Sequence, residues 1–481
     1  MPAILVPTGP DHLPPLPAVH QRTQVSLIFL DTPDLRLWQA GLLLARGSDR
    51  LDLIQVAEPF QPVASLATRR AMPRLVTAWP SGALKDRLLA VVRQRALLPT
   101  ARAEVVEDRW RQGRAEAVVR QLADAPGSPP WALLPGEPGP EWAGWRRVQA
   151  EPLAARMAAA AEAAHRPTLR FRDPEEPAAE AVRHLLLEDL DRVQEQEVGV
   201  IEDIDSEFLH QHRVCLRRMR SLLKSLAGVF DDDSVVALRT DLGALARRSN
   251  RLRDLDVWLE RRDEWTARLP PALRPGLVAV IADFTAERRT CQRDLAQALR
   301  RDRKTDTLGR LRARLEALPG QADEAERPIR EVVREALWRS WRAVAKRAAD
   351  VRQDTPAEEI HEVRIRGKRL RYLLDASLEV AAPQGGKDLV RQLKRVQEVL
   401  GRSNDAAVQL AALTPRALAP DTAPDTAAAV GALLGLLHQE QEQVKPELLT
   451  ALSDIAAPAT RHRYEDLFHA KPAKSAKAAR G

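Results

Sequence analysis

Apolar residues follow two different rhythms along this chain. From about residue 178 onward they recur at three- and four-residue intervals, the period of helices with one buried face. Breaks are expected at Asp231–Asp233, Pro270-Pro271, Pro319-Gly320, Pro383–Gly386 and Pro415–Pro424. Residues 21–165 instead carry short alternating stretches that predict strands: Gln24–Leu30, Asp49–Val56 and Ala103–Arg111. The last pairs with Ala115–Leu122 across Gly113 as a hairpin, and the Pro/Gly-rich Ala125–Glu141 reads as a loop. The predicted fold class is therefore α+β and multidomain, with a smaller β-rich domain ahead of all-α tandem-repeat helical bundles. The expected boundaries are a loose N-terminus (1–20), a β-rich domain (21–165), a linker (166–177), two helical repeats (178–320 and 321–465) and a disordered basic tail (466–481).

The helical half is internally duplicated. Leu209–Arg220 and Ile360–Arg371 align on His210 and His361, and both place Arg three residues on (Arg213, Arg364). A base follows at seven (Arg217, Lys368), then Arg at eight and ten (Arg218 and Arg220, Arg369 and Arg371). The agreement persists to Arg251 and Arg402, Asp254 and Asp405, and Val257 and Val408, which marks a repeated structural unit. Offsets 0, 3, 7 and 10 share one stripe of a helix. Leu209, Leu216, Met219, Leu223 and Leu226 run beside that stripe in the first copy, and Ile360, Leu370 and Leu374 in the second. Each helix thus packs on one seam and presents a positive rail along the next. A merely solvated face would carry neutralising acids at i±4, and few stand there. Two matched rails suit a polyanion of regularly spaced charge.

Asp254 and Asp405 could be general bases, but each follows an Arg-bearing turn, so an ion pair that orients the rail is the expected role. Thr355, Pro356 and Glu358 read as N-cap, first helical residue and capping box, which places His361 and Arg364 in the first turns, at the positive end of the helix dipole. Cys215 is expected in the core, as are Trp338 and Trp341, while His212 is expected to be exposed. His438 and His462 lack metal-ligand spacing.

The paired His-x-x-Arg-x-x-x-Arg/Lys-x-x-Arg helices resemble those of the CHAD domain, the conserved-histidine α-helical domain, over roughly residues 180–465. The resemblance implies a tandem pair of helical bundles that bind inorganic polyphosphate without catalysis, often at polyphosphate granules. By position it implies binding by His210, Arg213, Arg217, Arg220, His361, Arg364, Lys368 and Arg371, with Arg218, Lys224 and Arg369 adjacent and Arg251, Asp254, Arg402 and Asp405 in support. No cofactor or metal is implied.

A second resemblance rests on Phe29–Leu44, which is similar to the Asp-Thr-Pro-Asp-Leu stretch of CYTH domains, antiparallel triphosphate-tunnel barrels. It implies a strand ending at Asp31, then a helix capped by Thr32 and begun by Pro33. The Glu-x-Glu-x-Lys strand that would hold a divalent metal is missing, and Glu104, Glu107 and Asp108 could as well form a solvated strand face. A degenerate, inactive relative is expected.

Composition changes this picture only slightly. Net charge is +7, a modest excess that favours negative partners. Two cysteines fit a reduced, cytoplasmic setting, and no signal pattern or membrane-length apolar run is read. Polyphosphate binding is the leading expectation. A metal-dependent triphosphatase or polyphosphatase and a nucleic-acid binder remain as alternatives, the latter without aromatic residues interleaved among the rails for base stacking. His210 and His361 would add charge below about pH 6.5.

Overall fold

The computed structural model describes residues 3–7, 21–47, 50–55, 62–68, 70, 72–112, 115–123, 131–134, 145–147, 169–383 and 385–469. The expectations for residues 470–481 of the tail, for residues 8–20 and for 166–168 fall outside these, whereas residues 466–468, read as part of a disordered tail, complete a helix that runs to Phe468. The chain divides into two compact units at Pro167/Thr168.

The first unit is an antiparallel sheet with short helices. Its elements are β1 (Ala3–Pro7), β2 (Gln21–Asp31), α1 (Arg36–Gln39), β3 (Leu42–Arg46), β4 (Arg50–Gln55), β5 (Pro62–Ala67), α2 (Ala83–Val92), β6 (Leu98–Gln112), β7 (Ala115–Leu122), β8 (Trp131–Leu134) and β9 (Trp145–Arg147). The strand order is β5-β4-β3-β2-β6-β7-β8-β1-β9, all pairings antiparallel; among the described residues none joins β9 to β5 to close a barrel. The hairpin across Gly113 forms, with Gln112 opposite Ala115. Two expectations need correction. Ala3–Pro7 is not loose, since it pairs with both β8 and β9, and β8 lies inside the stretch read as a loop.

The turn after β2 is organised by one carboxylate. Buried Asp31 accepts backbone N–H bonds from Thr32 (2.7 Å), Leu37 (2.9 Å) and Trp38 (2.9 Å). Thr32 Oγ1 caps Arg36 N–H at 2.9 Å as expected, but the helix starts at Arg36 rather than at Pro33. Residues 32–35 form a turn closed by Leu35 in the left-handed region (φ 55°). Asp108 receives the fork of Arg22 at 2.7 Å, so this acid is engaged as a strand-face ion pair.

The second unit is helical. It comprises α3 (Ala178–Ile201), α4 (Ser206–Ser225), α5 (Asp232–Arg247), α6 (Asn250–Glu260), α7 (Arg262–Arg268), α8 (Arg274–Lys304), α9 (Thr307–Glu316), α10 (Ala322–Glu326), α11 (Ile329–Asp350), α12 (Ala357–Ala381), α13 (Lys387–Leu418), α14 (Pro424–Ala456) and α15 (Pro458–Phe468). Side-chain oxygens start two of them: Asp205 accepts from Glu207 N–H at 2.7 Å and Asp231 from Ser234 N–H at 2.8 Å. The predicted capping box on α12 does not form. Thr355 Oγ1 instead accepts Arg352 N–H at 2.7 Å, and the helix begins one residue later than read, at Ala357. Pro415 sits inside α13, so that break starts only after Leu418.

The duplication is visible in the backbone. Ala178 N–H donates to Arg327 O and Ile329 N–H to Glu176 O, both at 2.9 Å. These two bonds exchange under the spacing that relates His210 to His361, so the starts of α3 and α11 meet about a local two-fold. The motif helices α4 and α12 also pack directly on each other. One core consequently spans both repeats, from Leu185, Leu216 and Met219 to Trp341, Leu370 and Leu374. Leu169 and Phe171, in the stretch read as linker, are buried in it, and Phe171 N–H donates to Ala376 O. A second core joins α6, α8 and α14 through Trp258, Phe284 and Leu433. Close crossings rely on glycine: a Cβ on Gly199 would lie 2.1 Å from the Phe208 ring.

Arg218 is buried against Asp189 of α3, with Nε donating to Oδ2 at 2.8 Å. Burial works against the Arg218 charge, but the Asp189 carboxylate outweighs it and raises the guanidinium pKa. Removing one partner strands a buried charge, which typically costs about 3–5 kcal/mol. Arg218→Ala should therefore lower the urea midpoint sharply, while Arg391→Ala, which removes an exposed pair with Asp388, should leave it nearly unchanged. Equal, small losses in the two variants would mean that the buried pair does not stabilise the helical unit.

Candidate functional site: a basic seam between the repeats

Packing α4 on α12 brings the two rails into one surface. Arg217 of α4 is close enough to Arg364 and Lys368 of α12 to disfavour their charges. Burial first, then Arg364 and Arg217, push the Lys368 ammonium down to about 7, with Asp405 opposing. Burial, then Arg217, brings Arg213 down to about 10, with Asp254 opposing. The cations of the seam therefore repel one another, and too few acids reach them to cancel that repulsion.

Toward the other end of α4, Lys224 is held down first by Arg369, then by burial, Arg239 and Arg366. Arg220 lies over Gly243 of α5, where a Cβ would be 3.4 Å from its Cζ, and burial followed by Arg239, Arg247 and Arg217 lowers its pKa. Several donors in this region are buried with no hydrogen-bond partner among the described residues: the Nε atoms of Arg220, Arg239, Arg364 and Arg366. Buried donors normally find partners. An anion with several oxygens would satisfy them.

Sequence reasoning missed Arg239, Arg247 and Arg366. The signal was present for the first two, since Arg239, Gly243 and Arg247 stand four apart on one stripe of α5. Arg366 lies five residues beyond His361, off the stripe that the repeat pointed to.

Other predicted site residues are engaged differently. Arg213 Nη1 donates to Ala246 O (2.9 Å), Ser249 Oγ (2.7 Å) and Asn250 Oδ1 (2.9 Å), so it also pins the α5–α6 junction. Its equivalent Arg364 instead approaches Asp405, at 4.0 Å. Arg218 faces inward to Asp189 and is not on the seam. Arg371 is partly neutralised by Asp375, 3.4 Å away and one turn on, an acid at the i+4 position that the rail was expected to lack. Arg251 and Arg402 are each paired with a glutamate of a long helix, Glu287 of α8 and Glu447 of α14, and Arg251 also lies in the field of Asp254. Asp405 lies beside Arg364, and Asp254 is within the field of Arg213.

His210 is half-buried on α4; His361 is exposed, and its Nδ1 meets Asn404 Oδ1 at 2.8 Å. His212 is buried, against expectation, and burial pushes its imidazole down to about 4, so it stays neutral. Cys215 lies in the core as read, its thiol pushed up to about 12 by burial. Trp338 and Trp341 are core residues that stack on each other with ring centroids 5.0 Å apart.

The paired basic helices, their shared core and their repeat-related partners coincide with a family match: residues 184–414 fit the CHAD domain. The chain carries a CHAD domain. Two uncharacterized proteins of Mycobacterium tuberculosis, from strains CDC 1551 and H37Rv, are each 27% identical over 296 residues, covering 58% of this chain and 54% of their own length. The chain thus spans about half the length of these curated relatives. The crystal structure of the CHAD domain from the plant Ricinus communis is similar at 28% identity, covering 64% of this chain and 98% of that one, with a TM-score of 0.47. PptA from Streptomyces chartreusis is similar at 19% identity, covering 58% and 99%, with a TM-score of 0.48. No helix among the described residues is long and apolar enough to cross a membrane.

Lys368 makes the electrostatics of the CHAD seam measurable. Its folded pKa of about 7 lies below the ordinary 10.5, so between those values the unfolded chain binds more protons. Stability of the ligand-free protein should therefore rise with pH through this window. In Lys368→Met the rise between pH 7 and 9.5 should shrink, as read by urea unfolding at both pH values. An unchanged rise would mean that the ammonium is not strained by its neighbours.

Proposed function

We propose that this protein binds inorganic polyphosphate along the seam between α4 and α12, as a non-catalytic module. The observation that carries the reading is the cluster of Arg213, Arg217, Arg364 and Lys368, in which burial first and then Arg217 help to lower the pKa values of Arg364 and Lys368 across the repeat interface and that of Arg213 along its own helix. A linear polyanion relieves that repulsion, supplies oxygens to the unpartnered Arg Nε atoms and presents no sequence to read. Arg forks can bridge two phosphate oxygens, while Lys serves as a movable point charge. The family resemblance supports the same ligand, and association with polyphosphate granules in the cytoplasm belongs to this proposal. A triphosphatase or polyphosphatase acting through the β-rich unit is disfavoured by the missing Glu-x-Glu-x-Lys strand. Nucleic acid is disfavoured because Tyr372, the aromatic ring beside rail residue Arg371, is buried and closed to base stacking.

Bound phosphate also raises the pKa of Lys368, so binding above pH 7 takes up a proton and weakens as pH rises toward 10.5.

The test is polyphosphate titration of the full chain at several salt concentrations, with single-stranded RNA as competitor. About eight phosphate contacts at a slope near −0.7 each give an affinity loss on the order of 10³ between about 50 and 200 mM salt. Arg217→Gln with Lys368→Gln should lower the slope by roughly 1.4, from two lost contacts, and weaken binding at low salt. Arg213 is left intact because it also holds the α5–α6 junction. Binding that survives in the folded double variant with its salt slope unchanged would place the ligand elsewhere, and RNA competing equally at matched charge would turn the reading to nucleic acid.

A further inference from the structure

Beyond the far end of the seam, α11 adds a wall that neither rail contains. There Lys224 and Ser225 at the end of α4, Arg339 and Ser340 of α11, and Arg366 and Arg369 of α12 line a cavity of about 220 Å³. The rest of its lining is alanine, Ala227, Ala336 and Ala343, whose small side chains leave room for a compact polar ligand. Among the described residues no carboxylate lines it, although Glu362 lies within the field of Lys224 and Arg369. Glu362 is the nearest acid to Arg366, with 3.6 Å from Oε2 to Nε, beyond hydrogen-bond distance. Glu335, one turn before Arg339, is already bound to Arg327 at 2.7 Å. Ser225 Oγ and Arg366 Nε are both buried with no hydrogen-bond partner among the described residues.

Four cations around one small cavity differ from a rail, which spreads its charges along a line. An internal phosphate of a chain carries about one negative charge, whereas a terminal phosphoryl group, with a second ionisation near pH 6, carries close to two and offers three oxygens. We propose that this cavity is a site for a phosphate dianion, the terminal phosphoryl group of a bound chain, with free orthophosphate as the other source of the same chemistry. The inference rests on the polyphosphate reading and adds polarity to it: a chain with one end in the cavity enters the seam from a defined side. Ser225 and Ser340 supply hydroxyl donors, and the Arg339 guanidinium is the contact specific to the cavity.

The experiment compares linear tripolyphosphate with cyclic trimetaphosphate, which has the same number of phosphates but no terminal group, together with orthophosphate and long-chain polyphosphate. Each is titrated into the full chain, wild type and Arg339→Gln. Arg339 is exposed, so the variant should fold; Ser225→Ala provides a second probe of the same cavity. The expected result is about a tenfold preference for the linear over the cyclic ligand, the scale of one charge-assisted contact. Arg339→Gln erases that preference and leaves long-chain affinity nearly intact, because a long chain makes the end contact only once. Orthophosphate binding that is lost in Arg339→Gln, without a linear preference, keeps the dianion site and makes free phosphate its source. No linear preference and no Arg339-dependent orthophosphate binding overturn the proposal while long-chain binding stands. Loss of long-chain binding in the wild type itself would instead remove the seam as a polyphosphate surface.

Discussion

Like-charge repulsion held in place by a hydrophobic core is the constraint around which the helical unit is arranged. Leu216, Met219, Leu370 and Leu374 bury the apolar seams of α4 and α12 together, and by doing so force Arg217 against Arg364 and Lys368. Burial of a leucine-sized side chain contributes roughly 1.5–3 kcal/mol, so a few such contacts outweigh the repulsion of cations still partly open to water. The repulsion is not dissipated in the free protein. It adds to burial in depressing the pKa values of Arg364 and Lys368.

Acids are plentiful in this chain, and their placement decides which basic residues remain open to a ligand. Asp189 takes Arg218 into the core, while Glu287 and Glu447 take Arg251 and Arg402. Among the described residues Arg217 and Lys368, which face the partner repeat, have no carboxylate within ion-pair distance, and Arg364 has only Asp405 at 4.0 Å. A net charge of +7 understates the local field for this reason.

Duplication within one chain supplies the two-sided site without a second subunit. The reciprocal bonds between the starts of α3 and α11 set the local two-fold, and the same operation relates α4 to α12. The symmetry is incomplete where it affects chemistry. Arg213 is tied to the α5–α6 junction, which exists because that helix is interrupted at Arg248–Ser249. Its equivalent Arg364 faces an unbroken α13 and stays available. A break in one repeat thus gives Arg213 a structural duty that Arg364 lacks.

Helical spacing, the two His registers and the rail residues were legible in the sequence because local periodicity and repeated offsets are one-dimensional properties. So were the hairpin about Gly113 and the core roles of Cys215, Trp338 and Trp341. What the offsets could not reveal was which basic side chains find an acid distant in sequence. Arg218 and Arg369 hold the same repeat position, yet Asp189 buries the first while the second lines a cavity. His212 looked like a solvent-facing neighbour of His210, and the packing of other helices buried it. Arg239, Arg247, Arg339 and Arg366 join the basic surface only because α5, α11 and α12 converge on the end of α4. Pattern along the chain determined the helices and their charged stripes; proximity in three dimensions decided which charges are cancelled, because Coulomb energy depends on distance in space and on burial, and sequence separation reports neither.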